Sequence, residues 1–283
     1  MKIEDPLVSA QWLKDHFSAP DIRIVDATWV APWAATDSRS AARRQYDEGH
    51  IPNAVFFDID EIADSETDLP HMLPSAEKFS SRVRKLGLGD GNRIVIYDRG
   101  NFAASARVWW MFRVMGHEDV RVLDGGWNAW LGVDGAVEDL PPVTQERHFT
   151  VRVQNHLLRS YAQLQEALTR DDTLILDARP EGRFKGKDPE PREDLPSGHM
   201  PSAINVPASS LVTPDGFMKP SSELAPLFKG VDDDVAVIAS CGSGVTAAII
   251  LLAMQRLGRD DVSLFDGSWT EYASTPGAEI VTS

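Results

Sequence analysis

The chain contains a single cysteine, Cys241. It opens the stretch Cys241-Gly242-Ser243-Gly244-Val245-Thr246, between the apolar run Val235 to Ser240 and the longer run Ala247 to Gly258. This pattern predicts a buried strand, a glycine loop and a helix closed by Gly258. Two glycines allow the backbone to curl so that successive N–H groups converge on an anion, and the helix adds its positive end there. A thiolate held in such a loop is stabilised and is a ready nucleophile. A lone cysteine is otherwise a small buried hydrophobe; strand, loop and helix together favour the reactive reading.

The composition narrows what that nucleophile could serve. With 42% hydrophobic and 25% charged residues, the 283-residue chain has a globular balance and a length suited to two domains. Acidic residues outnumber Lys plus Arg by 43 to 28, a net charge of −15. That surface repels polyanions, so neither nucleic acid nor an anionic membrane is an expected partner, and an anionic substrate requires a local arginine cluster. One thiol excludes an intrachain disulfide and a multi-cysteine metal site, and no metal or cofactor is expected. The longest uninterrupted apolar run, Ala247 to Met254, falls far short of the roughly 20 residues of a membrane span. The opening Met1-Lys2-Ile3-Glu4-Asp5-Pro6 lacks the apolar stretch of a signal peptide, and the expected location is the cytoplasm.

The elements that must position the loop are legible as a repeat. Ile22 to Asp26, Gly49-His50-Ile51-Pro52, Ile94 to Asp98 and Asp124-Gly125-Gly126-Trp127 recur in order. Their counterparts are Thr173 to Asp177, Gly198-His199-Met200-Pro201, Val235 to Cys241 and Asp266-Gly267-Ser268-Trp269. Short Ile/Val-rich runs alternate with helix-length segments, which predicts an α/β fold in each copy, a mostly parallel sheet with helices on both faces. Sites in such sheets form beyond the carboxyl ends of the strands, where Asp26, Asp98, Asp177 and Cys241 fall. The expected division is residues 1–135, a linker at 136–154 and residues 155–283. His50 and His199 are expected to orient turns rather than do chemistry.

The Cys-Gly-Ser-Gly-Val-Thr-Ala loop, the paired Gly-His turns and the paired Asp-Gly-x-Trp turns resemble the tandem-domain rhodaneses. The cysteine loop is similar to that of the 3-mercaptopyruvate sulfurtransferases. Phe56 to Asp60, His71 to Pro74, Arg107 to Phe112, Gly182-Arg183-Phe184 and Glu190-Pro191-Arg192 extend the likeness across nearly the whole chain.

The resemblance implies two rhodanese-like domains with Cys241 as the nucleophile. The first copy carries Asp98-Arg99-Gly100-Asn101 at the matching loop and is expected to be catalytically silent. Further implications are a Cys241 persulfide, release of pyruvate, and a thiol (thioredoxin or a small thiol) or cyanide as acceptor. Arg183 and Arg192 would grip the substrate carboxylate, together with the loop residues Gly242, Gly244, Val245 and Thr246. Asp60, His71 and Ser243 would relay a proton, which requires a site between the two copies. Thiosulfate sulfurtransferases are the close rival, but they carry Arg and Lys where this chain has Gly242 and Ser243. A non-catalytic sulfur carrier is a more distant alternative. A cysteine phosphatase needs Cys-x5-Arg, and the residue six after Cys241 is Ala247.

Overall fold

The computed structural model describes residues 5–100, 102–232 and 234–283; Asn101 of the first copy's loop and the first four residues, read above for a signal peptide, lie outside them. The first half contains β1 (Leu7–Val8), β2 (Ile22–Asp26), β3 (Ala54–Phe56), β4 (Arg93–Tyr97) and β5 (Val120–Leu123). Its helices are α1 (Ala10–His16), α2 (Ser38–Glu48), α3 (Ile59–Ile62), α4 (Ala76–Lys85), α5 (Ala103–Val114) and α6 (Gly126–Gly132). The second half contains β6 (Leu158–Arg159), β7 (Thr173–Asp177), β8 (Ile204–Asn205), β9 (Ala236–Ser240) and β10 (Ser263–Phe265). Its helices are α7 (Tyr161–Ala167), α8 (Glu181–Phe184), α9 (Ser221–Leu224), α10 (Ala247–Arg256) and α11 (Ser268–Ser274).

The two sheets repeat one topology, β1-β5-β4-β2-β3 and β6-β10-β9-β7-β8, and every pairing is parallel. This is the α/β architecture expected from the alternation of apolar runs. Strand periodicity sorts the side chains between two layers. In β4, Ile94 and Ile96 face a core shared by both halves, whereas Val95 and Tyr97 face a smaller core under α1 and α6. In the second sheet Val237, Ala239 and Cys241 join the shared core, and Ile238 joins a small outer cluster with Trp269 and Tyr272.

The shared core exists because α5 and α10 are apolar almost all round. Ten residues of α5 and eight of α10 are buried, the signature of a helix enclosed on every side. The two helices pack on each other between the sheets. A reciprocal clasp reinforces the contact: Leu73 N–H of the first half donates to Asp266 at 2.6 Å, and Met218 N–H of the second donates to Asp124 at 2.9 Å. Asp124 and Asp266 are the matched aspartates of the two Asp-Gly-x-Trp turns.

The expected linker carries no helix or strand, yet it is a strap tied at several points. Glu138 bridges to His50, Phe149 is buried in the shared core, and Thr150 bonds Asp90. Gly116, at φ +89°, lets the strap pass closely; a Cβ there would lie 2.5 Å from Arg152 O. The paired turn histidines hold structure as expected. His50 stacks on Tyr46 and bonds its carbonyl, and His199 does the same with Phe184. No helix among the described residues is long and apolar enough to cross a membrane.

A consequence concerns separability. Residues 155–283 expressed alone would expose the α10 surface that α5 covers, so this fragment should be aggregated or only partly folded. Size-exclusion chromatography and near-UV circular dichroism would check this; a monodisperse fragment with native near-UV signal would contradict it.

Candidate active site

Cys241 follows β9, is 1% exposed, and is the free cysteine of the chain. The N-terminal turn of α11 holds its backbone. Trp269 N–H donates to Cys241 O at 2.9 Å, and Thr270 donates to Gly242 O through both N–H (3.0 Å) and hydroxyl (2.7 Å). Ser268 Oγ accepts from Cys241 N–H at 3.2 Å and donates to Phe265 O at 2.9 Å. With the early carbonyls so engaged, no described protein group accepts from the N–H groups of Gly242, Ser243, Gly244, Val245 or Thr246. These donors, at the start of α10, are free for an anion.

The two loop glycines have different reasons. Gly244 lies at φ +77°, and a Cβ there would sit 2.8 Å from Asp266 O; the close approach and the left-handed backbone both require glycine. Gly242 lies outside the left-handed region, and its Cβ would meet only Arg192 Nη1 at 3.9 Å. The curl therefore rests on Gly244, not on both glycines as the sequence suggested. Val245 turns its side chain into the shared core, so only its backbone faces the loop interior. Thr246 forms the entry to α10 without a side-chain cap.

The three residues matched to a relay converge. His71 Nδ1 lies 2.8 Å from Ser243 Oγ, and His71 Nε2 lies 3.3 Å from Asp60 Oδ1. Burial pushes the Asp60 carboxyl upward, but His71, the Trp29 indole N–H and the Arg39 charge outweigh it and hold it below the ordinary carboxylate range. An ionised Asp60 keeps the proton on Nε2, leaving Nδ1 to accept from the Ser243 hydroxyl. His71 itself sits at φ +63°, a region that costs a non-glycine residue about 1–2 kcal/mol.

Arg107 of α5 secures that conformation. Fully buried, it donates to His71 O, to Gly244 O at 3.3 Å and to Asp266 Oδ1 at 2.6 Å, with its guanidinium 4.4 Å from the Trp110 ring centroid. One side chain of the first half thus joins the relay loop, the cysteine loop and the Asp266 turn. In the sequence the one signal of Arg107 is a charge set beside the apolar Val-Trp-Trp-Met-Phe.

Arg183 and Arg192 lie on the segment after β7. Glu190, buried, bridges Arg179 (2.8 Å) and Arg183 (3.3 Å), fixing one expected substrate arginine through a structural one. Arg192 approaches the loop at Gly242. Burial and the neighbouring Arg183 charge lower its pKa, while Cys241 and Glu190 act against that shift. In the sequence Glu190 stands only within its Glu-Pro-Arg motif, and Arg179 and Trp29 carry no local signal of their roles.

The first half has the same frame with a different filling. Arg99 stacks 4.2 Å over Trp127 and donates to Gly49 O. In the second half Arg179 takes that place, 4.1 Å over Trp269 and 2.7 Å from Gly198 O. Arg99 corresponds to Gly242, whereas Arg179 comes from the end of β7. The structural arginine of the second half therefore leaves the loop position empty. Asp98 corresponds to Cys241, and its carboxylate accepts from Gly100 N–H (3.0 Å) and Ser105 N–H (2.7 Å). The first loop carries its own anion.

The Rhodanese-like domain model matches residues 9–132 and 160–275. The chain belongs to this rhodanese family, as two tandem domains. Within the family it is 39% identical over 269 residues to the 3-mercaptopyruvate sulfurtransferase of Escherichia coli (strain K12), covering 94% of each chain. It is also 39% identical over 276 residues to the thiosulfate sulfurtransferase of Rattus norvegicus, covering 94% of this chain and 91% of the relative. The crystal structure of SseA, a 3-mercaptopyruvate sulfotransferase from Escherichia coli, superposes with a TM-score of 0.85 at 38% identity, covering 94% of this chain and 99% of that one.

Arg107→Leu strands a buried carboxylate, and breaking such a pair costs about 3–5 kcal/mol. Urea unfolding should register that loss, and Arg107→Leu/Asp266→Leu should recover part of it by removing the orphaned charge.

Proposed function

We propose that this chain is a sulfurtransferase that takes the sulfur of 3-mercaptopyruvate onto Cys241 and passes it to a thiol or to cyanide. The observation that carries the reading is the electrostatic make-up of the loop. Gly242 and Ser243 bring no charge beside Cys241, so cationic recognition comes from Arg183 and Arg192, whose planar forks suit a carboxylate.

In the first half-reaction the Cys241 thiolate attacks the substrate sulfur. A sulfur–sulfur bond forms as the carbon–sulfur bond breaks, and the bonding pair leaves on C3 as the enolate of pyruvate. A proton delivered to that carbon completes pyruvate; Ser243, His71 and Asp60 are placed to manage this proton and that of the substrate thiol. The free N–H groups from Gly242 to Thr246 stabilise the persulfide anion. In the second half-reaction an acceptor thiolate or cyanide takes the outer sulfur, giving a new persulfide or thiocyanate and restoring the Cys241 thiolate.

Asp98 supports a silent first domain, since a carboxylate fills the place of the thiol and occupies its own loop donors. That domain, within residues 1–135, supplies Asp60, His71 and Arg107 instead. A single cysteine without a disulfide partner fits a reducing, cytoplasmic setting in which thioredoxin or a small thiol is the acceptor.

The thiosulfate reading has the rat relative in its favour, so overall identity does not separate the two substrates. The loop does, because a compact dianion is best served by cations beside the thiol.

Incubation with mercaptopyruvate and no acceptor should release one pyruvate per chain and leave one added sulfur, located by mass spectrometry on the Cys241 peptide. Cys241→Ser should do neither, since a hydroxyl forms no persulfide; continued turnover by this variant would refute the assignment. The double variant Gly242→Arg/Ser243→Lys tests substrate choice. The site at Gly242 is open, but a guanidinium there faces Arg192, and Ser243→Lys removes the relay hydroxyl. Mercaptopyruvate kcat/KM should fall, and the thiosulfate-to-mercaptopyruvate ratio should rise on the order of tenfold, equivalent to about 1.4 kcal/mol.

A further inference from the structure

Arg192 and Arg183 are held in opposite ways. Arg183 is paired with the Glu190 carboxylate at 3.3 Å. Among the described residues no carboxylate forms an ion pair with Arg192; its guanidinium instead lies 5.8 Å from the ring centroid of Trp33, in the first domain. A carboxylate partner would compete with an incoming anion for the same donors. An aromatic face attracts the cation through its quadrupole and leaves the N–H edge free.

Trp33 is also anchored to the relay. Its ring meets Trp29 edge-on at 6.4 Å and 85°. Trp29 in turn meets His71 edge-on at 5.3 Å and donates its indole N–H to Asp60 Oδ2 at 3.1 Å. Trp33 is 54% exposed, a large apolar side chain left in solvent beside the site rather than folded into either core. The Trp33 ring thus meets Trp29 and lies under the guanidinium of Arg192.

From this arrangement we infer that Trp33 is a positioning residue for substrate recognition: it holds Arg192 unneutralised beside the cysteine loop, available to the carboxylate of the substrate. The inference rests on the reading of Arg192 as a carboxylate grip. Trp33 acts only through Arg192, so its contribution belongs to binding and not to sulfur transfer itself.

The test is a double-mutant cycle on the full chain, read by single-turnover pyruvate release over a range of mercaptopyruvate concentrations. Trp33→Ala should raise the half-saturating concentration about two- to five-fold, the range of an exposed cation–π contact, with the limiting rate unchanged. Trp33→Phe, which retains a ring face, should restore most of the affinity. In an Arg192→Ala background, Trp33→Ala should add nothing. Unchanged half-saturation in Trp33→Ala overturns the proposal, as does an effect that adds in full to that of Arg192→Ala or falls on the limiting rate instead. The Arg192→Ala arm stands apart: if that variant binds mercaptopyruvate normally, the carboxylate-grip reading itself fails.

Discussion

The buried ion pair between Arg107 and Asp266 is the constraint on which the site depends. Arg107 arises from a helix of the first domain, and Asp266 from the turn that supports the cysteine loop of the second. Removing both charges from water is costly, and the pair is sustainable because every oxygen and most donors are used. Asp266 also accepts Leu73 N–H, while Arg107 also serves Gly244 O and His71 O. The registry of the two domains and the position of the relay histidine over the loop are thereby one event. A small sliding of α5 on α10 would break the ion pair, free the strained His71 backbone and separate Nδ1 from Ser243.

Duplication supplied two equivalent loops, and the structure shows how they came to differ with few changes in the frame. Each half needs a guanidinium over the turn tryptophan and on the carbonyl of the Gly-His turn. In the first half that group comes from the loop itself, at Arg99; in the second it comes from Arg179, two residues past the end of β7. Moving the arginine out of the loop leaves a glycine beside the cysteine and room for Arg192. Asp98 engages Gly100 N–H in the first half, whereas the matching Ser243 N–H of the second has no described protein acceptor. A position filled by a structural arginine in one copy is thus open space beside Arg192 in the other.

The acidity of the chain sharpens the role of the few cations near Cys241. A net charge of −15 disfavours any anion at long range, but screening confines that field to about 8 Å at physiological ionic strength. Inside the cleft, Arg192 and the free N–H groups dominate, with Arg183 shared with the Glu190 carboxylate. Arg179 and Arg107 add no accessible charge there, because carboxylates neutralise both. The positive charge near Cys241 is therefore local and directional.

The repeat, the strand ends and the cysteine loop were written in local pattern: strands alternate two ways, glycines mark the turns, and one thiol opens a helix. Those features depend on neighbours within a few residues, so the linear sequence determined them, and the match of motifs singled out Asp60, His71, Arg183 and Arg192 as candidates. What the sequence could not express was who touches whom across the interface. Glu190 reads as one acid in a charged loop, Trp33 as one aromatic in an irregular segment, and Arg107 as an oddity in an apolar helix. Trp33 and Arg107 find their partners in the second domain, so the docking of α5 against α10 sets their roles, whereas Glu190 is fixed by Arg179 and Arg183 of its own domain. Even Gly242 and Gly244, identical in the chain, were separated only by their surroundings: Gly244 is pressed against Asp266 in a left-handed backbone, whereas Gly242 faces an open site and an arginine.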